Sequence, residues 1–222
     1  MSKDEGDRLT HLLLVRHAES EANRRGVWQG GDADGILSPL GHLQAARLAE
    51  RLAAWEPSVQ RLYSSPLRRA VETAQPIAQR LGLDLVLHPD LREIGVGQVS
   101  GLSMEEFRQQ FPDVYARWLN KEDLDFTWPG GEQRRAFFHR VSRVVGEILA
   151  RHRGETVVLV THGGTIRAAV VGLLGLQGAP WWSYEVENAS ITYLTVTAAG
   201  EADLVLLGDA SHLAPLREEA SR

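Results

Sequence analysis

The sequence predicts an α/β protein: a three-layer α/β/α sandwich around a mainly parallel central sheet, formed by a single domain over residues 1–222. Three observations predict it. Two short continuous apolar runs, His11 to Val15 and Val157 to Val160, have the pattern of strands covered on both faces. Segments with helical apolar spacing separate these runs from further strand candidates. That alternation implies parallel strands joined by crossover helices on both faces of a sheet.

The elements follow in order. After the strand at His11 to Val15, a helix is expected from Leu40 to Trp55, where Leu40, Leu43, Ala46, Leu48 and Leu52 recur at helical spacing. A strand at Arg61 to Ser64 leads to a helix from Pro66 to Leu81, with the proline near the first turn, where a missing N–H does no harm. A strand at Leu83 to Leu87 follows. The stretch from 100 to 131 interrupts the alternation and reads as an insertion over a sheet edge and the active site, with a helix from Met104 to Trp118. Pro129-Gly130-Gly131-Glu132 reads as a turn before a helix from Gln133 to His152. Val157 to Val160 then leads into a nearly all-apolar, buried helix from Thr165 to Leu174. Strands at Ile191 to Val196 and Leu204 to Leu207 close a core of about residues 11–213. No repeat or linker divides it.

Composition narrows the function. The 222 residues hold 24 Lys plus Arg against 29 Asp plus Glu, a net charge of −5, so no basic surplus exists to hold nucleic acid. No apolar run approaches the length of a membrane span. Cysteine is absent, which removes disulfides, thiolate metal sites and thiol nucleophiles. The polar start MSKDEGDRLT has no signal-peptide core. The expectation is a cytoplasmic protein with no nucleic-acid or membrane partner.

Chemistry gathers at the two apolar runs. Arg16-His17-Ala18-Glu19-Ser20 follows the first, and Thr161-His162-Gly163-Gly164-Thr165 follows the second. Ligands of parallel α/β sheets bind beyond the carboxyl ends of the strands, where both histidines emerge. The glycines after His162 allow close backbone approach, and the helix starting there offers free N–H groups to an anion. A lone histidine at such a place more often caps or packs; two at matching places point to a site. Zinc is the competing reading, but no third ligand has suitable spacing and Arg16 beside His17 would repel a dication.

These segments resemble the histidine phosphatase superfamily, also called phosphoglycerate mutase-like. Besides RHAES and HGGT, the run Ser64-Ser65-Pro66-Leu67-Arg68-Arg69-Ala70-Val71-Glu72-Thr73-Ala74 resembles the family's S-x-L-x-R-A-x-x-T-A segment. Leu91-Arg92-Glu93-Ile94 with Gly97 and Gly101-Leu102 resembles its L-x-E…G…G-L segment, and Ser211-His212-Leu213 its closing one. The likeness runs from about Leu12 to Leu213. It implies that His17 is a phosphoryl-accepting nucleophile, that Arg16, Arg69 and His162 hold phosphate oxygens, and that Glu93 is the proton donor. It further implies phosphate or substrate contacts for Asn23, Gln29, Gly30 and Gly163, with no metal and no other cofactor. Read alone, Arg69 could be a solvated helix face, Glu93 a surface ion pair with Arg92 or Arg16, and Gln29 a turn residue. Arg68 is expected on the surface, Ser20 is expected to cap the segment after His17, and His42, His88, His139 and His152 are expected at the surface.

The residue types suit phosphoryl transfer on their own terms. Two arginines and a second histidine can neutralise the equatorial oxygens with directed donors. A neutral imidazole attacks through one nitrogen only if the other is held, here by an expected backbone carbonyl. A carboxyl group protonates the leaving oxygen and later deprotonates water.

Ala18 stands where the family often has glycine, Gln98-Val99-Ser100 where it often has an aromatic and a glutamate, and Gln133 where it has serine after Gly-Gly-Glu. The short insertion and the Gly-Gly-Glu segment favour a phosphatase acting on a small phosphorylated metabolite, such as phosphoserine, a phosphoglycerate derivative or a sugar phosphate. The runner-up is a cofactor-dependent phosphoglycerate mutase; an inert phospho-ligand module is disfavoured because His17, His162 and Glu93 are all present. Arg24-Arg25 and the insertion are candidates for binding a second negative group. Trp181-Trp182 is a candidate for a homodimer contact or a pocket rim, with core packing as the alternative.

Overall fold

A computed structural model describes residues 8–176 and 183–220 of the chain. Its centre is a six-stranded sheet built from β1 (Thr10–Arg16), β2 (Arg61–Ser64), β3 (Leu85–Leu87), β4 (Thr156–Thr161), β5 (Ile191–Val196) and β6 (Ala202–Asp209). The order across the sheet is β3-β2-β4-β1-β5-β6. The first four strands pair in parallel; β5 is antiparallel to both neighbours, so it alone runs against the rest. The mainly parallel α/β expectation holds.

Alternating side chains of the central strands face two separate helix layers, as the pleat requires. Leu13, Val15, Leu62, Val158 and Val160 pack with Leu48, Leu52, Ala70 and Ile77 of α2 (Pro39–Ala53) and α3 (Arg68–Leu81). Leu12, Leu14, Tyr63, Val157 and Leu159 pack with Phe137, Val141, Ile148, Ile166 and Val170 of α6 (Arg134–Arg151) and α7 (Gly163–Leu174). Each fully buried Leu, Ile or Phe contributes about 1.5–3 kcal/mol, so the two layers rather than the sheet alone hold the fold.

Strand β3 starts at Leu85 rather than Leu83, other ends shift by one or two residues, and four larger differences from the sequence expectation have local reasons. The helix expected from Met104 to Trp118 is two, α4 (Met104–Gln110) and α5 (Pro112–Leu119), because Pro112 offers no N–H and Phe111 before it leaves the helical region at φ −131°, ψ 57°. A short helix, α1 (Glu21–Arg25), lies where none was expected; Ser20 caps it, its hydroxyl accepting from the Asn23 amide, and left-handed Gly26 ends it. The helix after Ser65 begins at Arg68, with Leu67 as its cap, so Pro66 precedes it rather than joining its first turn. The buried helix after β4 begins at Gly163, earlier than Thr165, which makes His162 its cap residue.

His42 and His139 are exposed as expected, and His88 is half-buried, its Nδ1 accepting from the Asp90 amide at 3.2 Å. His152 is a correction. It is buried, its Nε2 2.7 Å from the Tyr63 hydroxyl and its Nδ1 3.2 Å from Glu155, because the chain turns back onto the sheet directly after α6. Trp181 and Trp182 lie outside the described residues. Among those residues no helix is long and apolar enough to cross a membrane.

Candidate active site

Strand register creates the site. Arg16 at the end of β1 lies directly beside Thr161 at the end of β4, so the next residues, His17 and His162, leave the sheet together. Their ring centroids are 5.2 Å apart. Ser64 of β2 pairs with Val160, which brings Ser65 to the same level, its amide donating to the Val160 carbonyl at 2.9 Å. Three neighbouring parallel strands thus deliver their first residues beyond the sheet to one place.

His17 is buried, with Nδ1 2.7 Å from its neighbour's carbonyl, that of Ala18. Bonding to a carbonyl makes Nδ1 the donor and leaves Nε2 as the ring's basic nitrogen. Burial, then the charges of Arg69 and Arg16, hold the ring well below the usual histidine range, against the Ala18 bond. His162 is depressed in the same way, by burial first and then by Arg69, His17, Arg16 and Arg140. Its Nε2 lies 2.8 Å from the Ser65 hydroxyl, while Nδ1 is buried and without a partner. The Ser65 oxygen also accepts from the Leu67 amide at 3.3 Å.

Arg69, only 1% exposed, projects from the first turn of α3. The carbonyls of Ala33 and Gly30 accept from its Nη1 and Nη2 at 2.8 and 2.7 Å, while Nε is buried and unpartnered. Burial pulls this guanidinium down to about 10. Arg16 donates from Nη1 to the Val186 carbonyl at 2.7 Å, and its Nε is likewise buried and unpartnered. Burial lowers Arg16 too, against the attraction of Glu93.

Glu93 lines the cleft against the start of α7. Its two oxygens accept from the amides of Ile94 at 2.9 Å and Gly164 at 2.8 Å. It is not the surface ion pair that the sequence left open. Thr161 and Thr165 pin its segment by donating to the carbonyls of Leu91 and Arg92 at 2.6 and 3.1 Å. Arg140 holds it from behind, bonding the Asp90 and Arg92 carbonyls and the Glu132 carboxylate. Arg68, by contrast, points outward and pairs with Glu72 at 2.7 Å.

These groups line a cleft of about 670 Å³. Asn23, Gln29, Gly30 and Gly163 line it as well. Asn23 Oδ1 accepts from the Ser20 amide and from Asn188 Nδ2, both at 3.1 Å, and Gln29 Oε1 accepts from the Ser20 hydroxyl at 2.9 Å. Gly30 has φ +56°, and a Cβ there would lie 2.6 Å from a Val96 methyl, so a side chain is excluded where its carbonyl must meet Arg69. Arg24 and Arg25 are not at the cleft: Arg24 is exposed and paired with Glu21, and Arg25 bonds the Glu21 carbonyl.

Sequence reading missed Ser65, Asn188, Arg167 and the cleft's outer wall. Ser65 carried a signal as the first residue of a quoted motif. Arg167 carried one as the single charge in an otherwise apolar helix. Asn188, whose Nδ2 also donates to the His17 carbonyl at 3.0 Å, carried none. The outer wall comes mostly from the insertion, whose Phe107, Phe126 and Trp128 form their own cluster with Val96 and Val99. Trp28, Met104, Trp118 and Lys121 line the cleft there. Lys121 Nζ lies over the Trp118 ring, 2.9 Å from its centroid, and burial, then Arg134, pulls it down to about 7. Among the described residues no group of three or more His, Asp or Glu stands where it could hold a metal ion.

A mainly parallel sheet that delivers two neutral histidines and two buried guanidinium groups to one cleft defines an anion-handling α/β domain. The chain belongs to the histidine phosphatase superfamily (branch 1), whose family model matches residues 12–210. It is 37% identical over 186 residues to phosphoserine phosphatase 1 of Hydrogenobacter thermophilus, covering 84% of this chain and 86% of that one. The structure of a mycobacterial glucosyl-3-phosphoglycerate phosphatase in complex with VO3 superposes with TM-score 0.80 at 33% identity, covering 90% of this chain and 99% of that one. Phosphoserine phosphatase of Entamoeba histolytica in complex with 3-phosphoglyceric acid superposes with TM-score 0.80 at 29% identity, covering 92% and 99%.

Proposed function

We propose that the chain is a metal-independent phosphatase that hydrolyses a small phosphomonoester through a phosphohistidine at His17. The observation that carries this reading is the set of buried, unpartnered nitrogens Arg16 Nε, Arg69 Nε and His162 Nδ1, all on residues lining the cleft with a histidine whose Nδ1 is already committed. With the Ser65 hydroxyl donating to Nε2, His162 Nδ1 carries the ring proton; unpaired buried donors are costly, and a phosphate group in the cleft would satisfy all three.

In the first step His17 Nε2 attacks phosphorus in line as the P–O ester bond breaks. Arg16, Arg69 and His162 hold the equatorial oxygens, which carry the charge of the transition state. Glu93, entering as the acid, gives its proton to the leaving oxygen. In the second step the Glu93 carboxylate takes a proton from water as that water attacks phosphorus. The P–N bond breaks, phosphate leaves, and the imidazole is neutral again. The depressed histidine values keep the nucleophile unprotonated at neutral pH. The named relatives that act on phosphate esters as phosphatases favour hydrolysis over mutase transfer.

Phosphate release from a panel of small monoesters in EDTA, beside a coupled assay for 2-phosphoglycerate formation, tests the reading. Release without isomerisation is the expected result. Isomerisation dependent on a bisphosphoglycerate primer, with little release, would make the chain a mutase.

A further inference from the structure

Arg167 is the single charged residue of α7, whose remaining side chains are apolar or small. A guanidinium in such a helix costs desolvation unless it has a task. It lines the cleft and is fixed there, its Nε donating to the Tyr184 carbonyl at 2.9 Å. Among the described residues it forms no ion pair.

Its position relative to the phosphate cradle is set by Gly163. A Cβ on Gly163 would lie 3.2 Å from Arg167 Nη1 and 3.7 Å from Arg16 Nε, so these two nitrogens stand at most about 7 Å apart across a residue with no side chain. The same helix start holds Glu93 through Gly164, so Arg167 sits beside the group that meets the leaving oxygen. The charge balance points the same way. Arg16 and Arg69 suffice for a phosphate dianion, yet Arg167, across Gly163 from Arg16, joins Lys121 and Arg134 as further basic residues in a cleft whose one lining carboxylate, among the described residues, is Glu93.

We propose that Arg167 determines specificity for the leaving group by binding a carboxylate on a carbon one or two bonds beyond the ester carbon. The planar fork of a guanidinium suits a carboxylate, and each bond adds about 1.5 Å, so a short phosphorylated hydroxy acid spans the gap. The proposal rests on the phosphatase reading of the cleft and names the substrate class that reading leaves open.

Two pairs of esters differ in the carboxylate: phosphoserine against phosphoethanolamine, and 3-phosphoglycerate against glycerol phosphate. The native chain is expected to favour the carboxylated member of each pair. Arg167→Gln is expected to lower kcat/KM for that member roughly 10- to 100-fold, mainly through KM, and to change the other less than about threefold. Arg167→Lys should recover part of the loss. Equal losses on both members, or no preference in the native chain, would overturn the proposal. A bisphosphate preferred over every carboxylate would also overturn it. Should no ester be turned over, the phosphatase reading fails by itself. Calorimetric binding of phosphoserine and phosphoethanolamine to His17→Ala, with and without Arg167→Gln, then still reads the carboxylate contact: a difference that Arg167→Gln abolishes supports it, and equal affinities overturn it.

Discussion

Glu93 hangs from the first turn of α7, with one carboxylate oxygen 2.8 Å from the Gly164 amide. A Cβ on Gly164 would lie 2.4 Å from the other oxygen, so the helix start accepts this carboxylate only because residue 164 has no side chain. The carboxylate proposed to handle the proton and the cradle proposed to hold the anion thus share one turn of backbone, which fixes their separation.

Gly164→Ala should therefore push Glu93 aside while leaving His17, Arg16 and Arg69 in place. The expected outcome is a fall in kcat of about 100-fold with vanadate affinity nearly unchanged, since small misplacements of a catalytic group are costly. Loss of vanadate binding in step with kcat would show that the substitution damages the cradle instead.

Removing the carboxyl altogether separates leaving groups. Glu93→Gln should slow alkyl phosphates by about 10²–10⁴ and nitrophenyl phosphate by less than tenfold, because a good leaving group needs no proton. The comparison of the two rates, rather than either alone, checks the acid role; an equal loss contradicts it.

The Ser65 hydroxyl lies 2.8 Å from His162 Nε2, and in the proposed arrangement it donates there and keeps the ring proton on Nδ1. Ser65→Ala frees that nitrogen and lets the proton sit on either side of the ring. We expect kcat to drop about tenfold and phosphate inhibition to weaken, with thermal stability lowered by about 1 kcal/mol for the lost bond. Unaltered kinetics would assign the serine a purely structural place.

The two site histidines also tie stability to pH. Both are held well below 6.5 in the folded chain, whereas the unfolded chain takes up a proton on each near that value. Their contribution is fully present above 6.5 and is lost as pH falls below it, at up to about 1.4 kcal/mol per pH unit for each group. Urea unfolding of the native chain and of His17→Gln at several pH values measures this; the variant should show the shallower acid loss, and identical slopes would contradict it.

Much of this was legible in the sequence because strong local signals coincided with it. HLLLV and VVLV are apolar throughout since both faces of β1 and β4 are buried, and that run is what marks a central strand. The residues after them follow at once from register. Arg69 was legible only through its motif, since nothing local distinguishes it from Arg68, which points outward. What stayed hidden depends on distant partners. The burial of His152 needs Tyr63, 89 positions away in sequence. Asn188 reaches His17 across 171 positions. Arg24 and Arg25 looked like ligand-binding residues, but the five-residue helix that carries them points them to Glu21 and solvent. Arg167 alone among the missed cleft cations broke a pattern that the sequence displayed.

In the proposed mechanism the phosphoryl group is carried on His17. This is tested most directly by mixing the protein with phosphoserine or nitrophenyl phosphate in EDTA, quenching within milliseconds and mapping the modified peptide. An acid-labile, base-stable phosphate is expected on the peptide containing His17, absent in His17→Ala and longer-lived in Glu93→Gln. Turnover without any label on His17, or label that persists in His17→Ala, would contradict it.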